Sequence, residues 1–153
     1  MDAVINTPIG FLKITEQNGY ITGIKEVVGN VYDESVSCSG VLRYAVKQIK
    51  AYFARELENF DFPVLMAGSD FQRSVWEACK NIPYGETRTY SDIANIIGNP
   101  DAVRAVGMAL KGNPILLAVP CHRVISKKGI GGFRLGADAK RVLFSIEDIK
   151  INI

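Results

Sequence analysis

Apolar and polar positions alternate with two different rhythms along this chain, and the changes of rhythm mark its elements. From Phe11 to Val27, the apolar residues Phe11, Leu12, Ile14, Tyr20, Ile21, Ile24 and Val27 alternate loosely with polar ones on either side of EQNG. The Asn18-Gly19 pair suits a tight two-residue reversal, so this stretch predicts a β-hairpin. Over VLRYAVKQIKAYF, residues 41–53, the spacing lengthens, and Val41, Ala45, Gln48, Ile49, Tyr52 and Phe53 fall near one helical face with Lys and Arg elsewhere. That pattern predicts an amphipathic helix packed on the hairpin. The following ELENFDFPVLMAGSD loses periodicity and contains Pro63 and Gly68, which marks a boundary. The expected organisation is an N-terminal domain over 1–62, a linker over 63–69 and a C-terminal domain over 70–153.

The second half is punctuated by helix caps. Ser69 with Gln72 forms a capping-box pattern, opening a helix whose Phe71, Val75, Trp76 and Cys79 face the core, which gives Cys79 a structural role. Beyond the IPYGE turn, Thr89 and Asp92 open another helix that runs through Ile97 and stops at Gly98. Asn99-Pro100 then predicts a cap and the start of a further helix through Lys111. Helix, short turn, helix is the outline of a helix-turn-helix. The later helix, PDAVRAVGMALKG, is small-sided, with Ala102, Ala105, Gly107 and Ala109 around one arginine, Arg104. Such a surface suits close packing on another helix or close approach to a nucleic-acid groove.

Composition narrows the classes. A chain of 153 residues with 48% hydrophobic content can bury a core, which argues against disorder. The apolar run PILLAVP at 114–120 is far too short to cross a bilayer, and MDAVINTPIG lacks a basic segment followed by an apolar one, so a cytoplasmic protein without a membrane partner is expected. Cys38, Cys79 and Cys121 are far apart with no CxxC spacing, and there is one histidine, so neither a disulfide framework nor a metal site is expected. The net charge is +2, but up to Asp70 there are 6 basic and 9 acidic residues, and after it 12 and 7. A basic second half fits a polyanionic partner or a solvated surface.

The chemistry concentrates in VPCHRVI, residues 119–125, where the single histidine follows a cysteine. A thiolate is the reactive form of cysteine, and nearby His or Arg lowers its pKa, so Cys121 suits an activated nucleophile. Adjacent residues project apart on a strand and share no face on a helix, so direct pairing of Cys121 with His122 needs a bend or an intervening water. A base also needs a carboxylate on its other nitrogen, for which Glu147 in KRVLFSIE is a candidate. Read by itself, the dipeptide more readily fits a buried cysteine beside a satisfied core histidine.

Taken together, PCHRVI, IPYGETRTYSDIA, RAVG, GNP and GIGGF, in that order and followed by AKRVLFSIE, closely resemble the O6-alkylguanine-DNA alkyltransferases, also called methylated-DNA–protein-cysteine methyltransferases. The likeness runs over residues 69–147 almost without a gap, and TPIGFLKI, QIKAYF and FDFP resemble the family's N-terminal part. The resemblance implies an α+β protein: a small N-terminal α/β domain of ribonuclease H-like form, and a mainly helical C-terminal domain with a winged-helix-like helix-turn-helix. It implies single-turnover transfer of the alkyl group from O6-alkylguanine in double-stranded DNA to Cys121 after nucleotide flipping from the minor groove, by a monomer without cofactor or metal.

It also assigns roles residue by residue. His122 matches the base that deprotonates Cys121 through water, and Glu147 the carboxylate that orients it. Tyr90 matches the phenol that hydrogen-bonds the flipped guanine and gives a proton to it. Arg104 matches the finger that fills the vacated stack, with Ala105 beside it in the groove. Arg123, Lys127 and Lys128 are expected at the DNA, and Arg73 and Arg88 could add phosphate contacts. Leu110, Leu116, Val124, Phe133 and Arg134 are expected to form the pocket, Val124 and Arg134 through main-chain groups. Asn113 braces the helix-turn-helix against the active-site segment. Phe133 stands where tyrosine is frequent, and Arg134 follows it, so the lining of the alkyl pocket departs from the pattern. Relatives that bind the lesion without accepting the group lack the acceptor cysteine, which is present here. A hydrolase would turn over, and a regulator would read a defined sequence. Cys38, in the polar SVSCSG, is a second thiol that an assay must separate from Cys121.

Overall fold

Asn18 and Gly19 take φ values of 52° and 84°, the two positive angles that a tight reversal between right-handed twisted strands demands. They join β2 (Gly10–Gln17) to β3 (Tyr20–Glu26) as the expected hairpin. The computed structural model describes residues 1–37 and 39–151, so the expectation for Cys38 lies outside the described residues. Two further strands were not anticipated: β1 (Asp2–Thr7) pairs antiparallel with β2, and the short β4 (Ser35–Val36) pairs with β1. The antiparallel sheet has the order β3-β2-β1-β4.

The register of β3 shifts between Thr15 and Glu16 of its partner, whose opposites are Gly23 and Ile21, so Thr22 is the extra residue. This bulge places Ile21 and Ile24, at an odd spacing, both in the core with Ala3, Ile5, Leu12 and Ile14. Onto that face packs α1 (Gly40–Phe53), capped by Ser39, whose hydroxyl accepts from the Leu42 N–H. Its buried stripe is Leu42, Ala45, Val46, Ile49 and Tyr52. The expected stripe was rotated by part of a turn, because Gln48 serves instead at the helix edge, its amide bonded to Asp61.

Residues 63–65, expected within a linker, run beside β3: the Ile21 N–H donates to the Pro63 carbonyl at 2.8 Å and the Leu65 N–H to the Ile21 carbonyl at 3.0 Å. The chain divides into two compact units, Met1–Met66 with Pro114–Ala118, and Ala67–Asn113 with Val119–Ile153. Much of the apolar run of the second half thus belongs with the sheet, where the Ile24 N–H donates to Pro114 and the Leu116 N–H to Ile24.

The second unit is built from helices. The Ser69–Gln72 capping box is present at the start of α2 (Asp70–Lys80), whose Trp76 is buried and donates its indole N–H to the Ala109 carbonyl at 2.8 Å. Gly68 is required there, since a Cβ would stand 2.7 Å from the Trp76 ring. After the short β5 (Arg88–Thr89) comes α3 (Tyr90–Ile96), opened by a Thr89–Asp92 capping box and followed by Gly98 at φ 75°. Then α4 (Val103–Lys111) begins three residues later than Asn99-Pro100 suggested, because Asn99 closes a turn by accepting from the Ala102 N–H. The pair α3 and α4 forms the helix-turn-helix outline and packs on α2. The short β6 (Val124–Ile125) and α5 (Ala137–Glu147) complete the unit. Among the described residues no helix is long and apolar enough to cross a membrane.

Candidate active site

A two-residue ladder brings the chemistry together. β5 and β6 pair in parallel, Arg88 with Val124 and Thr89 with Ile125. Thr89 is the N-cap of α3, so Tyr90 emerges beside the segment that precedes Val124. That segment, Cys121–Arg123, is one turn of 3₁₀ helix following Pro120, and neither a strand nor an α-helix. With three residues per turn, successive side chains point roughly 120° apart. Cys121, His122 and Arg123 are all buried, yet each meets a different environment.

Cys121 borders a cavity of about 310 Å³ whose walls include Tyr90, Arg104, Leu110, Phe133 and Arg134. Its sulphur receives the Asn113 side-chain amide at 3.2 Å, and the same nitrogen donates to the Val119 carbonyl at 2.8 Å. Burial pushes the Cys121 thiol above its ordinary range; the Asn113 hydrogen bond and the charges of Arg134 and Lys140 oppose it but do not prevail. The net lowering of its pKa expected beside His and Arg is not found, because burial outweighs the charges. The resting group is the neutral thiol, so its proton must be taken by a base. Tyr90 is half-buried, and its phenol oxygen accepts from the Gly132 N–H at 3.2 Å. Burial raises its pKa and outweighs the Gly132 hydrogen bond, so it keeps the proton it would donate.

Behind the thiol lies a charged cluster closed off from solvent. His122 Nε2 meets Glu147 Oε2 at 2.5 Å. Arg123 grips the same carboxylate with two nitrogens, Nε to Oε1 at 2.8 Å and Nη2 to Oε2 at 3.2 Å, while Nη1 donates to the Ile82 carbonyl at 2.8 Å. The guanidinium lies 5.6 Å from the centre of the Tyr84 ring, and the Gly85 N–H donates to Glu147 Oε1 at 3.1 Å. The IPYGE turn is thus a cradle for this pair. Burial disfavours the charged form of Glu147, but hydrogen bonds and charge from His122 and Arg123 outweigh it and bring its pKa down to about 2. For His122 burial dominates and lowers the pKa, aided by the charges of Arg123 and Lys140 against the pull of Glu147.

Arg123 was expected at the DNA surface. Its side chain is 8% exposed and committed to Glu147 and Ile82, so it is an internal partner of the site and cannot reach a phosphate. Leu116, expected in the pocket, belongs to the first unit and is absent from the cavity wall. Val124 is fully buried, with its carbonyl accepting from Lys140 Nζ at 2.7 Å. Arg134 spans from its loop to the end of α4, donating to the carbonyls of Lys111 at 3.0 Å and Asn113 at 2.8 Å. Arg104, Ala105, Lys127 and Lys128 are exposed, Val106, Ala109 and Leu110 being the buried side of α4. Arg73 and Arg88 pair with Asp70 and Glu86.

One residue escaped sequence reasoning altogether. Lys140 is fully buried on α5, and its ammonium bridges the carbonyls of Val124 and Gly132, at 2.7 and 2.9 Å, with its pKa lowered by burial to about 8. Its signal is the helical spacing Lys140, Leu143, Phe144, Glu147, a buried face with an ionisable group at each end. Among the described residues no group of three or more His, Cys, Asp or Glu could hold a metal ion.

Known proteins resemble this chain in sequence and fold. Residues 70–149 match the family model for the 6-O-methylguanine DNA methyltransferase DNA-binding domain. The methylated-DNA–protein-cysteine methyltransferase of Methanosarcina acetivorans is 45% identical over 152 residues, covering 95% of this chain and 96% of that one. The structure of the Mycobacterium tuberculosis OGT in complex with DNA superposes with a TM-score of 0.84 at 42% identity, covering 94% of this chain and 90% of that one. An O6-methylguanine DNA methyltransferase from Methanococcus jannaschii gives a TM-score of 0.69 at 28% identity, covering 98% and 95%.

Proposed function

The chain belongs to the 6-O-methylguanine DNA methyltransferase family, and on that premise we propose that it repairs DNA by direct reversal, moving the alkyl group of O6-alkylguanine onto Cys121. The observation that carries this is the cavity at Cys121, whose thiol has a phenol on its open side and a sealed histidine–carboxylate pair behind it. The thiol proton passes through a water to Nδ1 of His122, whose Nε2–H is held by Glu147. The thiolate attacks the alkyl carbon, forming S–C as C–O breaks, and the electron pair leaves on the guanine. Tyr90 neutralises that charge with its proton.

The exposed side of α4 enters the minor groove of duplex DNA, where Arg104 occupies the place of the extruded nucleotide and offsets part of the few kcal/mol that flipping costs. Ala105 permits the close approach, and Lys127 and Lys128 meet phosphates. Leu110 and Phe133 contact the alkylguanine, and main-chain groups of Val124 and Arg134 read its edge. Asn113 holds the turn that carries Cys121. A ribonuclease H-like first unit and a winged-helix-like second unit, in a cytoplasmic monomer that needs no cofactor, complete this reading; the strand order and the α3–α4 outline support the fold.

A thioether is not hydrolysed by water, so each molecule acts once. Incubating limiting protein with excess duplex DNA containing O6-methylguanine should restore one guanine per protein molecule and then stop. Continued restoration beyond that plateau would overturn the proposal.

A further inference from the structure

The carboxylate of Glu147 serves two partners at once, and this fixes what His122 can be at rest. Its oxygens receive the Gly85 N–H, two nitrogens of Arg123 and His122 Nε2, all in a region closed to solvent. A carboxylate held by three N–H groups besides His122 is ionised, so Nε2 of His122 carries the proton and Nδ1 bears the lone pair. Were Glu147 and His122 alone, a buried anion beside an imidazole would draw a second proton onto the ring and leave no base. Arg123 supplies the compensating charge through a planar fork, the geometry that matches a carboxylate best. Arginine, carboxylate and neutral imidazole together sum to zero, the cheapest state for a buried trio.

We infer that Arg123 is a positioning residue for the base: its fork on Glu147 cancels the carboxylate's charge, so His122 rests as the neutral Nε2–H tautomer and takes a proton only when Cys121 gives one up. This role needs no contact with DNA or alkyl group. It also gives purpose to the IPYGE turn, whose Ile82 carbonyl, Tyr84 ring and Gly85 N–H clamp the pair. The other ionisable groups around the trio are few. Lys140 from α5 acts on His122, but its ammonium is engaged by the Val124 and Gly132 carbonyls. Cys79 from α2 interacts electrically with Cys121, which also feels Arg134, and Tyr90 feels Cys121 in turn.

The chain has one histidine, so nitrogen NMR of protein labelled in histidine reports His122 without assignment. The unaltered chain should show the neutral Nε2–H tautomer at pH 7. In Arg123→Gln and Arg123→Met the imidazole titration midpoint should rise by about one pH unit or more, and the acid limb of the single-turnover transfer rate should move with it. Arg123→Lys, which keeps the charge, should leave the midpoint nearly where it was. A purely structural role would depress the rate equally at every pH and leave the midpoint unmoved. An unshifted midpoint in folded Arg123→Gln overturns the inference. So does an imidazolium, or the Nδ1–H tautomer, at pH 7 in the unaltered chain or an imidazolium in Arg123→Lys, and these arms decide the matter if the uncharged variants do not fold. The rate arm rests on the transfer reading, whereas the NMR arm does not. A chain that titrates as described yet transfers nothing would refute that reading alone.

Discussion

Asn113 and Cys121 are joined by a hydrogen bond of 3.2 Å from the amide nitrogen to the sulphur, and that nitrogen also holds the Val119 carbonyl at 2.8 Å. One buried side chain therefore fixes both the acceptor atom and the backbone that presents it. The bond to sulphur also favours the thiolate once the proton has gone, since a donor stabilises an anion more than a neutral acceptor.

Asn113→Ala should accordingly do two separable things. The Val119 carbonyl keeps the Cys121 N–H at 2.8 Å, so losing the amide's two hydrogen bonds should cost about 1 kcal/mol of stability, read by urea unfolding. Transfer to Cys121 should slow well beyond that of an equally destabilised core variant such as Ile93→Val. Equal rates in the two variants would reduce Asn113 to a packing residue.

Tyr90→Phe keeps the ring and removes only the hydroxyl. If the phenol supports the departing guanine, the single-turnover rate should fall by about 10²–10³, the loss typical of one preorganised donor. Lesion binding, followed by fluorescence anisotropy with an acceptor-dead protein, should change little. A rate within twofold of the unaltered chain would exclude Tyr90 from the chemistry.

The same phenol explains a glycine. Gly131 has φ 74°, and a Cβ there would stand 2.8 Å from the Tyr90 hydroxyl and 3.1 Å from the Ser126 nitrogen. Gly131→Ala should displace Tyr90 and strain the loop by about 1–3 kcal/mol, which corresponds to roughly tenfold or more in rate if the strain falls on the reacting geometry. Transfer kinetics beside a thermal melt would show whether the loss lies in the site or in the fold.

How much of this was legible beforehand follows the range of each interaction. The two capping boxes and the Asn18-Gly19 reversal are satisfied within a few residues, so their patterns were readable and the structure contains them. The pairing of β1 with β2, and of residues 63–65 and Pro114–Ala118 with β3, depends on partners chosen in three dimensions. Cys121, His122 and Glu147 were suggested by residue type, and His122 and Glu147 do meet. Arg123 was misread because an arginine beside a nucleophile in a basic half looks like a phosphate ligand. Only the fold reveals that the 3₁₀ turn aims it inward at Glu147. Lys140 was overlooked because a lysine in a helix is ordinarily solvated; its burial rests on two carbonyls outside its helix, those of Val124 in β6 and of Gly132.

Glu147 also sets a pH dependence of stability. Its folded pKa is about 2 against an ordinary value of 4.5. The folded state thus binds fewer protons than the unfolded state between those values, and stability falls as pH falls through that window. The contribution is fully present above about pH 5. Glu147→Gln should be much less stable near neutrality, and the gap between the two unfolding free energies should narrow steadily from pH 5 toward pH 2. A gap constant with pH would show that the carboxylate is not held ionised by its partners.

The central claim is that Cys121, and no other thiol, accepts the alkyl group. The measurement that tests it most directly is intact-protein mass spectrometry with peptide mapping after reaction with excess duplex DNA containing O6-methylguanine. One methyl group per molecule, located on Cys121, is the predicted result, with none on Cys38 or Cys79 and none on Cys121→Ser. Tight binding to the lesion without any change in mass would contradict the account and make the protein a lesion sensor.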